Sequence, residues 1–178
     1  MKKIKIATIF VASVFLFAKY FIINSDSNKF RYLPTNALYN GKPYTGLTIA
    51  FHNGLWRPRK IQFFYKGRQQ FKELHWFYNF RLRQITNYRD GLREGTTSIW
   101  FDDGSIQALR NYVRDKAHGE YYGWHRNGVL SDFHYFENGK QIVYRAFISD
   151  GKPYYNYVYR GEEMIGVKGG EFCKVKTN

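Results

Sequence analysis

"GEYYGWHRNGVL", residues 119–130, sets Trp124 and His125 beside an Asn127–Gly128 turn. Alone, the stretch reads as a small Trp-His pocket or as one copy of a structural unit. The flanking chain decides between them. Trp76, Trp100 and Trp124 stand 24 residues apart, and Tyr88, Tyr112 and Phe136 keep the same interval, as do Leu82, Ile106 and Leu130. Gly67, Gly91 and Gly139 lie on the same ruler, with Asp115 in the missing place, and Gly95–Gly119 and Gly104–Gly128 add two further columns. A fixed period of this length is the signature of a repeat array. His125 then falls in the column of Phe77 and Phe101, a packing position rather than a ligand position.

Each unit reads as a hairpin. "TTSIWF" and "EYYGWH" are β-branched or aromatic runs, "DDG" and "RNG" supply Asx-Gly turns, and "SIQALRNYV" and "VLSDFHYF" return. Ile106 and Leu109 differ in parity, which predicts a bulge or a register slip in the return strand. The copy before these keeps Trp76 and Leu82 but has Phe71 and Phe80 where later copies have glycine. Modified copies at both ends, with "GKPY" at residues 41–44 and again at 151–154, fit the caps of a stack. The composition agrees: 16 Phe, 16 Tyr and 4 Trp run along the whole chain, with 16 Gly against 4 Pro, which favours short strands and tight turns.

At 178 residues the chain holds one ordinary domain and whatever the N-terminus adds. "MKKIK" is a positive segment, and Ile6 to Ala18 is an apolar run of signal-peptide length. Continued through Ile23 it approaches a bilayer span, with Lys19 able to snorkel. Cleaved leader and uncleaved anchor both stay open, and either exports the domain across the cytoplasmic membrane, to face outward or be released. The net charge is +14, and without the four leader lysines it is still +10. Cys173 is the only cysteine, which excludes an internal disulfide.

"YNGKPYTG" (39–46), "DGLREGTTSIWFDDGSI" (90–106) and "AHGEYYGWHRNGVL" (117–130) resemble the MORN-variant repeats of the YwqK group, a bacterial family carried under an antitoxin label. The resemblance covers residues 37 to 161. It implies a meander of stacked β-hairpins in one long twisted sheet, and a scaffolding, partner-binding or lipid-contacting role. Phe71, Phe80 and Asp115 depart from its glycines, and the leader argues against a cytoplasmic toxin–antitoxin pair.

Enzyme signatures are absent: there is no G-x-S-x-G, phosphate loop, H-E-x-x-H or Cys-His couple. His118, His125 and His134 fall on unlike places of the unit, so no metal shell is expected, and Asp102 and Asp103 read as turn formers. No catalytic residue, cofactor or metal is expected. Export speaks against nucleic acid, although arginines and aromatics interleave.

The expectation is an all-β fold of stacked antiparallel β-hairpin repeats, a MORN-like single-sheet meander preceded by an N-terminal hydrophobic helix. Residues 1–23 form the signal peptide or signal-anchor helix, 24–36 a linker and 37–178 the repeat domain. The expected function is non-catalytic binding of a protein partner through an aromatic sheet face or edge, with Trp76, Tyr88, Trp100, Tyr112 and Trp124 as contacts. The alternative is an envelope-surface module whose Arg81, Arg83, Arg89 and Arg93 meet anionic lipid or cell-wall polymer.

Overall fold

A computed structural model of the chain describes residues 22–33, 36–53, 56–161, 163–168 and 171–176. The described chain is all β. Its strands are β1 (Ile22–Asn24), β2 (Phe30–Tyr32), β3 (Ala37–Tyr39), β4 (Lys42–Pro43), β5 (Gly46–Phe51), β6 (Pro58–Tyr65), β7 (Arg68–Trp76), β8 (Leu82–Arg89) and β9 (Leu92–Arg93). They continue as β10 (Gly95–Trp100), β11 (Ile106–Val113), β12 (Lys116–Trp124), β13 (Leu130–Glu137), β14 (Lys140–Phe147), β15 (Pro153–Arg160), β16 (Glu163–Lys168) and β17 (Glu171–Lys176). From β5 onward, neighbours in sequence are neighbours in a 14-stranded meander, with β9 paired to β8, and β1 adds to β5 in parallel.

The repeat columns turn out to be cross-strand partners. Trp76 lies opposite Leu82, Trp100 opposite Ile106 and Trp124 opposite Leu130, so these three hairpins close on an indole–aliphatic pair. At the far end Gly95 faces Tyr112 and Gly119 faces Phe136, where an aromatic ring covers a strand glycine. Just inside each closing pair the return strand carries one extra residue: Arg59, Arg83, Gln107, Ser131 and Tyr154. This bulge is the one the parity of Ile106 and Leu109 predicts, and it recurs on the same ruler from Arg59 to Ser131, with Tyr154 one residue short of it.

One further column joins hairpin to hairpin. The backbone N–H of Gly67 donates to Tyr44 O (2.7 Å), Gly91 to Gln69 O (2.9 Å), Asp115 to Arg93 O (3.0 Å) and Gly139 to Ala117 O (2.8 Å). All four donors have positive φ, between 66° and 88°, the region glycine enters without strain. At the opposite edge the turns tie to one another through His125 Nε2 to Phe147 O (2.9 Å), Asn127 to Ser149 O (2.7 Å) and Arg126 to Asp102 (2.7 Å).

Two expectations need correction. The segment expected as a linker is built into the fold, because β1 and β2 lie within or against it and Phe30 packs with Ala37, Tyr44 and Phe64 in the main buried cluster. The array is also not a single sheet. β2, β3 and β4 form a second, three-stranded sheet, whose Phe30 rests on Phe64 of β6 at 5.7 Å between ring centroids. The expected N-terminal helix spans residues 1–23, of which 1–21 lie outside the described residues, while Ile22–Asn24 are a strand.

Candidate binding groove

Residues directly opposite each other on paired strands share a face. Thr97 faces Arg110, Arg110 faces Tyr121, Tyr121 faces His134, His134 faces Tyr144, Tyr144 faces Tyr157 and Tyr157 faces Gly166. One row of side chains therefore crosses β10 to β16 on the inner face, and Glu73 opposite Thr86 belongs to the same face. Its rings are in contact: Tyr121–His134 at 4.6 Å, His134–Tyr144 at 4.7 Å and Tyr155–Tyr157 at 5.6 Å.

At its N-terminal end this face is covered. Tyr32 of the small sheet donates to Gln62, and Gln62 (2.6 Å), Gln69 (2.7 Å) and His75 (2.5 Å) converge on the buried Glu73 carboxylate. Burial alone would raise that carboxyl, but the hydrogen bonds from His75 and Gln69 and the charges of His75 and Lys60 outweigh it and hold it below its usual value. Burial also pushes the Tyr32 and Tyr88 hydroxyls up to about 12.

From β10 to β16 no described strand packs over the inner face. Two cavities open there, on either side of the Arg110–Tyr121 pair. One, of about 230 Å³, is walled by Tyr112, Ala117, His134 and Phe136. The other, of about 320 Å³, is walled by Arg83, Gln84, Ser131 and Asp132. Asp132 accepts from Ser131 (2.5 Å) and His134 (3.2 Å); burial alone would raise it, and these bonds hold it low. Its carboxylate leans over Gly123, where a Cβ would come within 2.5 Å of an oxygen.

The five expected contact residues do not form one surface. Tyr88 and Tyr112 lie on the inner face, in register with Thr86 and Arg110. Trp100 lies on the same side of β10 as Ser98, away from Thr97, and Trp124 stacks on Tyr122 at 5.9 Å, so these indoles turn toward the outer face, with Trp124 also lining the second cavity. Trp76 occupies the matching place.

The arginines are scattered too. Arg81 donates to Asp102 O (3.2 Å) at the turn edge, and Arg83 is the bulged residue beside the second cavity. Arg89 is exposed near the opposite edge, and Arg93 is held by Asp115 (2.7 Å) over the Tyr112 ring (4.1 Å). His118, His125 and His134 are not gathered either, since His125 serves a turn-to-turn bond and His134 lies in the row.

No family model matches the chain. No curated protein matches it either. A solved structure titled "Crystal structure of GtfA/B complex bound to UDP and GlcNAc" is similar over 72% of this chain and 26% of that one, at 9% identity and a TM-score of 0.21. This chain therefore spans about a quarter of that one's length, and a likeness so distant carries no argument.

The row leaves no column in the sequence, because its residues differ from copy to copy. Gln62, Thr86, Arg110 and His134 stand 24 residues apart, and so do Glu73, Thr97 and Tyr121. These are ruler positions at which every copy carries a different polar or aromatic group. In a repeat array, equal positions hold the frame, and variable positions on one exposed face are where specificity can reside.

Proposed function

We propose that the chain is a non-catalytic binding module, an exported MORN-like array that engages a protein partner through its inner face. The observation that carries this reading is the partly open row Arg110, Tyr121, His134 and Tyr144, flanked by Tyr112, Phe136 and Tyr155 and ending at the buried Tyr157. Tyr and Arg in a shallow, partly desolvated groove are the side chains that dominate interface energies. Affinity capture from envelope extract with wild type and with the Tyr121→Ala/Tyr144→Ala variant tests it. A protein retained by wild type at high salt and lost by the variant supports the reading; equal capture by both sinks it.

A second reading follows from the charge. A surplus of +10 outside the leader, with Arg81, Arg83 and Arg89 exposed, attracts anionic lipid or cell-wall polymer. Anionic liposomes or cell walls pulled down at low salt and released at high salt, with no dependence on Tyr121 or Tyr144, would favour it instead.

A further inference from the structure

Arg110 differs from the arginines of this sheet that form ion pairs. Arg59 pairs with Asp26 (3.1 Å), Arg93 with Asp115 (2.7 Å) and Arg126 with Asp102 (2.7 Å), all at exposed edges. Arg110 lies mid-strand, half-buried at the floor of the groove, and no carboxylate among the described residues lies within ion-pair distance. Its guanidinium rests over the Tyr121 ring at 5.0 Å, reaches the Tyr121 hydroxyl at 3.4 Å and also meets the Tyr112 hydroxyl, so its polar neighbours are phenols rather than a carboxylate. Its Nε is enclosed with no hydrogen-bond partner among the described residues, and so is Oγ1 of Thr97, the residue directly across the ladder, which is 4% exposed. Enclosed polar atoms are nearly always matched, and a guanidinium fork matches the two oxygens of a carboxylate.

The walls narrow the choice of anion. Asp132 lines the adjoining cavity, and its negative charge opposes a dianionic phosphate or a polyanion while tolerating one carboxylate a strand away. The aromatic wall of Tyr112, His134 and Phe136 suits an apolar side chain next to the acid. The Asp132 side suits a cationic one. Because a cavity lies on each side of the Arg110–Tyr121 pair, a bound chain can continue in both directions, which favours an acidic side chain within a segment over a chain terminus.

Building on the binding reading above, we propose that Arg110 is the anchor for an Asp or Glu side chain of the partner protein, set between an apolar and a basic residue of an extended segment.

The test titrates the isotope-labelled full chain with acetyl-Ser-Phe-Glu-Lys-Ser-amide and with the same peptide carrying Gln for Glu, following backbone amide shifts. The Glu peptide is expected to bind about tenfold more tightly than the Gln peptide, with shifts centred on Arg110, Tyr121 and His134. Arg110→Gln is expected to erase the difference, and Arg110→Lys, which keeps the charge but loses the fork, to restore part of it. An unchanged amide spectrum elsewhere confirms that both variants fold. Equal binding of the two peptides on the inner face, or a preference for Glu that survives Arg110→Gln, overturns the anchor while leaving the binding reading in place. A Glu peptide that leaves the inner-face amides unmoved overturns the anchor, and if it shifts only amides elsewhere the inner-face reading falls with it.

Discussion

Asp115 donates its backbone N–H to the carbonyl of Arg93 at 3.0 Å and receives the Arg93 guanidinium on its carboxylate at 2.7 Å. It stands at a glycine position of the repeat and keeps glycine's left-handed backbone, with φ 66°. Asp tolerates that region better than most residues. The ion pair is partly exposed and contributes little, on the order of 0.5 kcal/mol. Asp115→Gly is therefore expected to leave urea stability within about 0.5 kcal/mol of wild type. Asp115→Ala, which loses the pair and keeps the strain, is expected to cost about 1–2 kcal/mol. Equal midpoints for the two variants would contradict this.

Phe71 and Phe80 occupy two more glycine columns, at φ 61° and 64°, and are 69% and 56% exposed. Their counterparts Gly95, Gly119, Gly104 and Gly128 have φ between 79° and 95°. The frame thus imposes its backbone on a bulky residue at a cost of about 1–2 kcal/mol each. Phe71 recovers part of it against Phe63 (5.3 Å) and Phe80 beneath Arg57 (4.9 Å). Phe71→Gly and Phe80→Gly are each expected to raise stability by about 0.5–1 kcal/mol, read from thermal and urea unfolding. Loss of stability in both would mean that the ring contacts outweigh the strain.

These substitutions also show how far the sequence could be read. Trp, Gly and Tyr columns revealed the hairpin, its turn and its period, because closing pairs and left-handed positions demand the same residue types in every copy. Which side the indoles occupy was not legible: strand alternation must be counted from the bulge at Gln107 or Ser131, and only pairing fixes where that bulge lies. Phe30 carries no such signal, because it sits in the polar stretch "NSDSNKF", where one aromatic residue gives no period. The row through Arg110 and His134 was hidden by its own variability.

Glu73 predicts a pH dependence. Its carboxyl is held below its usual value in the fold, so it contributes stability above the unfolded-state value, and that contribution is lost as pH falls through the depressed one. Urea midpoints are expected to stay level from about pH 7 to about pH 5 and to fall in more acid solution. Glu73→Gln is expected to cost about 2 kcal/mol near neutrality and to show a shallower acid decline. A variant that declines as steeply as wild type would remove Glu73 from this role.

Trp100 closes its hairpin opposite Ile106 on the outer side. Trp100→Ala is expected to destabilise by about 2–3 kcal/mol, measured by urea unfolding, while partner affinity in the folded protein stays within about twofold of wild type. A large loss of affinity without loss of stability would return the indoles to the binding surface.

Tyr144 and Arg145 are neighbours on β14 that point to opposite faces, Tyr144 opposite His134 and Arg145 opposite Phe133. A photoreactive benzophenone side chain placed at one position or the other, in the full chain with its captured partner, reads the binding face directly. Cross-linking is expected from position 144, with little from position 145. Cross-linking from position 145 alone, or equally from both, would contradict it.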